Sequence, residues 1–343
     1  MRSAQITIKD IAKKLGISPS TVSRALKGHP DISSETRKAV NKLAEKLKYE
    51  PNAIALSLQR SRTNIIGLII PEIVHYFFSQ VISGIEDVAN DAGFQVMICQ
   101  SNESYTREVR NVQALLASRI DGLLVSVSKE TKDFSHFRNL KKKNIPIVFF
   151  DRICEEIESD RVIVDDFNGA YKAVEHLINI GCKRIAHLST NQNLLIGRNR
   201  YEGYLKALRD FELPVDERLI VRCDTHKAAR LVTKRLIYEL HPPDGIFAVN
   251  AQTAIGAIQT IKENGLRIPD DIAVAGFSND IYCTMSDPQL TSVDQFGYLM
   301  GQKAARMIVD RILSKQDYPP STEVIETQLI IRESTVKHKV YPF

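Results

Sequence analysis

The sequence predicts an all-α helix-turn-helix head with a hinge helix, joined to an α/β body of two similar parallel-sheet subdomains. Three observations predict it. Charge is uneven: residues 1–62 hold 13 Lys and Arg against 5 Asp and Glu, whereas the rest of the 343 residues hold 33 against 36. Within that basic segment the apolar residues recur at 3, 1, 3 spacing, the period of one helical face. From residue 64 onward, short β-branched-rich runs alternate with amphipathic stretches, the pattern of parallel strands covered by helices on both faces.

In the head, Ile8, Ile11, Ala12 and Leu15 line one helical face, and Gly16 suits the left-handed residue that closes a helix. Ser18-Pro19 supplies an N-cap followed by proline at the first helical position, where the missing N–H is not needed. The next helix, PSTVSRAL, turns Val22, Ala25 and Leu26 inward and Ser20, Thr21, Ser23 and Arg24 outward. Gly28-His29-Pro30 breaks it, and Ser33 caps a third helix built on Val40, Leu43, Ala44 and Leu47. Two short helices joined by a tight glycine turn make a helix-turn-helix, whose second helix fits a major groove. Short hydroxyls on its first turn can bond phosphates or base edges, and Arg24 can reach guanine O6 and N7. A three-helix bundle with solvated caps is the alternative, and the local positive charge favours DNA.

In the body, NIIGLII, FQVMICQ, DGLLVSV and IPIVFFD read as strands, separated by helices at 77–92, 105–118 and 133–143. RVIVDD, RIAHLS, LIVRC, DGIFAVN and DIAVAGF then repeat the scheme. DGLLVSV and DGIFAVN stand at similar places in the two runs, which predicts halves of like architecture. A cleft between such halves, beyond the carboxyl ends of the strands, is where a ligand binds. The chain contains no GxGxxG, GxxxxGK[ST], HExxH or GxSxG, so no enzyme motif competes with a binding role.

No cofactor and no metal are expected. Five cysteines, at 99, 154, 182, 223 and 283, are scattered and read as buried small hydrophobes that fit a reducing cytoplasm. His75, His136, His176 and His187 stand apart from Cys or carboxylate at metal-ligand spacing and read as core or surface. No run approaches the roughly 18 apolar residues of a membrane helix, and MRSAQITIKDIAKK lacks the apolar stretch of a secretory leader. A cytoplasmic protein with no membrane partner is the expectation.

TIKDIAKKLGISPSTVSRALKG resembles the DNA-binding head of the LacI family of bacterial repressors, PNAIALSL resembles that family's hinge, and the likeness continues to about residue 332. The resemblance implies a head at 1–50, a hinge helix and linker at 51–62, and a periplasmic binding protein-like body at 63–343. The body's subdomains would run roughly over 63–163 plus 295–325 and 164–294 plus 326–343. It implies a sequence-specific transcriptional regulator, a repressor, bound as a homodimer to double-stranded operator DNA, with affinity set by a small-molecule effector, a sugar or sugar derivative. A sugar-binding protein or an α/β enzyme without a regulatory role is the alternative. DNA contacts are expected at Thr7, Lys9, Ser18, Ser20, Thr21, Ser23, Arg24, Asn52, Ala55 and Leu58. Ile54 and Leu58, four apart, share one hinge face, through which paired hinges can pack at Ile54; the family implies that Leu58 wedges into a base step and kinks the duplex.

The effector residues the family implies are Phe77, Phe78, Asp151, Arg152, Arg200, Asn250 and Ser278. Aromatic rings stack on the apolar face of a sugar, and Arg200 offers a fixed donor fork. The chain departs from the family's pattern in four places. His75-Tyr76-Phe77-Phe78 stands for Asn-Pro-Phe-Phe, Leu56 for a common arginine, and Ala251 and Ser278 for aspartates. Leu194 occupies the place of an arginine in purine-responsive members, so a purine is not expected.

Overall fold

The structure, a computed structural model, describes residues 6–49, 62–239, 242–314 and 318–336. The hinge positions Asn52, Ile54, Ala55, Leu56 and Leu58 lie outside the described residues. The chain divides into two units, residues 1–64 and 65–343, each described by itself.

In the first unit α1 (Ile8–Leu15), α2 (Pro19–Leu26) and α3 (Ser34–Lys46) enclose Ile11, Ala12, Val22, Ala25, Val40 and Ala44. Local chemistry sets each boundary. Thr7 donates to the Asp10 carboxylate from its N–H at 2.8 Å and its hydroxyl at 2.7 Å, which holds the Asp10 carboxyl below its usual range. Gly16 takes φ 66° after α1, a conformation that glycine adopts freely. The Ser18 hydroxyl accepts the Thr21 N–H at 3.1 Å to cap α2, and Ser33 accepts the Thr36 N–H at 3.2 Å to cap α3.

The second unit begins with β1 (Ile65–Ile70), α4 (Tyr76–Asp91), β2 (Gln95–Gln100), α5 (Tyr105–Ala117), β3 (Gly122–Val125), α6 (Ser135–Lys142), β4 (Ile147–Phe150) and β5 (Asp160–Val164). It continues with α7 (Asp166–Asn179), β6 (Ile185–Ser189), α8 (Leu195–Asp210), β7 (Ile220–Arg222), α9 (His226–Glu239), β8 (Gly245–Ala248), α10 (Ala251–Glu263), β9 (Ala273–Phe277), α11 (Ile281–Met285) and β10 (Thr291–Asp294). It closes with α12 (Gly297–Leu313), β11 (Thr322–Ile325) and β12 (Gln328–Ile330).

Two six-stranded sheets result, ordered β11-β5-β4-β3-β1-β2 and β12-β10-β9-β8-β6-β7. DGLLVSV supplies β3 and DGIFAVN supplies β8, the fourth strand of each order, so the halves share one plan. The chain passes between the sheets after β5, after β10 and between β11 and β12. Each sheet carries core on both faces. In the first, Ile66, Leu68 and Ile70 pack against α4 and α12, and Ile69 packs on the opposite face with Val112, Phe137 and Phe149. The alternation follows from the two-residue repeat of a strand. Where α4 crosses α12 the backbones touch: a Cβ on Gly84 would lie 2.2 Å from the Tyr298 carbonyl oxygen, and one on Gly301 would lie 2.1 Å from that of Val81.

Two expectations are corrected. Cover on both faces fails at β2, where Met97 and Ile98 are 37% and 36% exposed, because β2 forms a sheet edge. The second sheet is parallel except for β12, which pairs antiparallel with β10.

Candidate functional site

In the first unit the exposed side of α2 carries the DNA-contact candidates. Ser20 and Arg24, four residues apart, are both exposed and share a helix face. The Ser18 hydroxyl lies 2.7 Å from that of Ser20 and 2.8 Å from that of Thr21, so Ser18 orients the first turn. Ser23 is half-buried, and Lys9 and Thr7 are exposed on and before α1.

In the second unit a cavity of about 160 Å³ lies between the two sheets. Phe77, Phe78, Asp151, Arg152, Arg200, Asn250 and Ser278 all line it. The elements explain the convergence. Phe77 and Phe78 open α4 just after β1, with rings edge to face at 5.3 Å; Phe78 is also core. Asp151-Arg152 follows β4, Asn250 follows β8 and Ser278 follows β9. Asp151 and Ser278 hold positive φ, 57° and 82°, a strained conformation for residues other than glycine. Asn250 caps α10 by accepting the Thr253 N–H at 2.8 Å and donates to the Asp224 carbonyl at 3.1 Å.

Arg200 is buried and held in place by the fold. Its Nε donates to Asp166 at 2.7 Å, its Nη1 to the Val249 carbonyl at 2.7 Å, and its guanidinium lies 3.7 Å from the centre of the Phe277 ring. Burial pushes the Asp166 carboxyl up to about 6 against the pull of Arg200. Burial likewise pushes Asp151 up, opposed by Arg152 and Arg200. Asp165 caps α7 by accepting the Asn168 N–H at 3.0 Å, and neither it nor Asp166 lines the cavity.

Sequence reasoning missed several lining residues, among them Lys129, Thr190, Asp224, Gln252, Asp280 and Gln295. Three of them join the subdomains across the cleft in two contacts: Lys129 Nζ lies 2.9 Å from Asp224 Oδ2, and Gln252 Nε2 lies 3.2 Å from His75 Nδ1. Burial alone would raise the Asp224 carboxyl, but Lys129 and the Thr190 hydroxyl at 2.7 Å hold it below its usual range. Leu194 and Ile196, from the second subdomain, pack into the core of the first, and Arg198 pairs with Glu155. The signal that could have found Lys129, Asp224 and Gln295 was position, since each follows a strand of its sheet.

His136 and His187 are buried, whereas His75 lines the cavity. His187 stacks between Tyr204 and Phe247 at 5.0 Å from each, and burial pulls it down to about 4. His136 and His75 do meet carboxylates, Glu108 at 3.0 Å and Glu72 at 2.8 Å, but no group of three or more potential ligands forms a metal site among the described residues. All five cysteines are free, four of them buried.

Comparison with known families decides the identity. The family described as "Periplasmic binding proteins and sugar binding domain of LacI family" matches residues 63–338, and "Bacterial regulatory proteins, lacI family" matches residues 7–52. The chain belongs to the LacI family. This LacI-family chain is 34% identical to the ribose operon repressor of Halalkalibacterium halodurans over 331 residues, 96% of this chain and 97% of the relative. Among solved structures it resembles the transcriptional regulator CelR in complex with cellobiose, with a TM-score of 0.74, 28% identity, and coverage of 96% of this chain and 100% of that one. A lac repressor dimer bound to operator and an anti-inducer shares the fold at a TM-score of 0.84 and 24% identity, over 97% of this chain and 100% of that one. No helix among the described residues is long and apolar enough to cross a membrane.

Proposed function

We propose that the chain is a transcriptional repressor that binds a palindromic operator as a homodimer and whose operator affinity is set by a sugar or sugar derivative held in the cleft. The observation that carries this reading is the union on one chain of a basic helix-turn-helix with a cavity between two subdomains. Its seven candidate contacts come from both sheets, so a ligand there bears on how the subdomains sit against each other. A body of this kind supports dimerisation: apolar side chains stand exposed at Ile73 and Val74 before α4, Met97 and Ile98 on β2, and Ile281 and Met285 on α11. The exposed hydroxyls and Arg24 on α2 support base and phosphate contact by α2, with Lys9 on a phosphate. Lys129 is paired with Asp224 and Arg200 with Asp166, and no enzyme motif in the sequence competes with this reading. Selection from random duplexes by the full-length chain tests the proposal. The expected product is a consensus of two half-sites related by two-fold symmetry; an unselected pool would defeat it.

A further inference from the structure

The cavity's cations are already answered by protein anions, and one of those anions sits at a position that no periodicity marks. Glu103 lies in the loop between β2 and α5 with φ 58°, next to Asn102 at φ 50°. Two successive left-handed residues other than glycine persist only where their surroundings hold them. Here the Glu103 carboxylate does so. It accepts the Lys129 N–H at 2.8 Å, receives Arg152 Nη1 at 2.8 Å on both oxygens, and lies 3.8 Å from Lys129 Nζ. Lys129 Nζ reaches onward to Asp224 at 2.9 Å. Arg152 and Lys129 both line the cavity.

We propose that Glu103 determines effector specificity: its carboxylate holds Arg152 and Lys129, cations that line the cleft, so the effector is an uncharged polyhydroxyl compound of monosaccharide size and not a phosphorylated or acidic sugar. This rests on the cleft being the effector site. A phosphate or carboxylate only accepts hydrogen bonds, so it must compete with Glu103 and Asp224 for the same cations while facing the buried Asp151 carboxylate. A hydroxyl both donates and accepts. Asp151 offers it an acceptor, and Arg152 Nε, buried without a hydrogen-bond partner 3.8 Å from Asp151 Oδ2, offers a donor beside it. The cavity of about 160 Å³ admits one sugar ring.

The test is anion binding by the full-length chain. Glu103→Ala leaves Arg152 Nη1, the Lys129 N–H and Lys129 Nζ facing a space of carboxylate size. Calorimetry with acetate and with inorganic phosphate on wild type, Glu103→Ala and Glu103→Ala/Arg152→Gln measures what enters it. Glu103→Ala should bind at least one of the anions about tenfold more tightly than wild type, the effect of a charge-assisted hydrogen bond, and the double variant should lose that gain. Glu103→Ser, which also vacates the carboxylate's space, carries the same test if Glu103→Ala does not fold. No gain in either folded variant overturns the proposal, as does wild-type binding of glucose 6-phosphate or glucuronate that Arg152→Gln abolishes. Because anion binding is read directly, its failure is distinct from failure of the regulatory reading, which a gel shift on selected DNA measures separately.

Discussion

Replacing Arg200 by methionine removes one guanidinium from a site where everything around it is buried. Asp166 then loses its ion-pair partner at 2.7 Å and the Val249 carbonyl loses its donor at 2.7 Å. Breaking a buried pair by removing one partner costs about 3–5 kcal/mol, because the remaining charge is left uncompensated. At roughly 2–4 °C per kcal/mol for a domain of this size, the body's unfolding midpoint should fall by about 6–20 °C. The pH dependence separates this cause from simple loss of packing. Asp166 already titrates at about 6 with the arginine present, and without it the carboxyl rises further. At pH 5 a proton therefore neutralises the orphaned group, and the loss should be smaller than at pH 8. Arg200→Met/Asp166→Asn, lacking the orphaned charge, should recover most of the difference. Thermal unfolding of the three proteins at both pH values is the assay. Equal losses at pH 5 and pH 8, or an unchanged midpoint at pH 8, would refute the reasoning. The sequence led to the expectation that Arg200→Ala abolishes the response to effector and leaves effector-free operator affinity nearly intact; the structure adds this folding cost.

Arg24→Ala should relax base preference at one position of each half-site and cost about 1–3 kcal/mol per contact, whereas Lys9→Ala should weaken all sequences alike and flatten the salt slope; an unchanged selected consensus for Arg24→Ala would remove it from base readout. His187 is held neutral in the fold, so the stability it contributes is present above its ordinary 6.5 and is lost as pH falls toward about 4. Between pH 7 and pH 5 that loss is about 2 kcal/mol, and His187→Phe should be free of it in urea unfolding at the two pH values. Gly301→Ala places a methyl 2.1 Å from the Val81 carbonyl, so α4 and α12 must part and stability should drop by about 1–3 kcal/mol, the range for overpacking; a denaturation midpoint equal to wild type would mean that the crossing is loose.

Much of this architecture is legible in the sequence because its signals are periodic. Gly16, Ser18 and Pro19 punctuate the head as their backbone chemistry requires, and β3 and β8 repeat one another in sequence as they do in position. The missed strands β10, β11 and β12 are three or four residues long, too short for TSVD, TEVI or QLI to show alternation. Missing β10 also hid Gln295, which follows it into the cavity. Strand ends could be read, so Asp151 and Asn250 were found. Pairing across the cleft could not: Lys129 and Asp224 also follow strands, but only the fold brings together residues so distant in sequence. The edge position of β2 was equally hidden, since QVMIC is as apolar as a central strand.

In a regulator of this kind a cleft ligand and operator DNA act on one equilibrium. The direct measurement is the affinity of the full-length chain for a monosaccharide that binds it, determined by calorimetry with and without saturating selected operator. Linkage requires operator and sugar to change each other's affinity by the same factor, on the order of 5–150-fold for a coupling of 1–3 kcal/mol. The expected result is a factor in that range, equal in both directions. A sugar affinity identical with and without operator would contradict it.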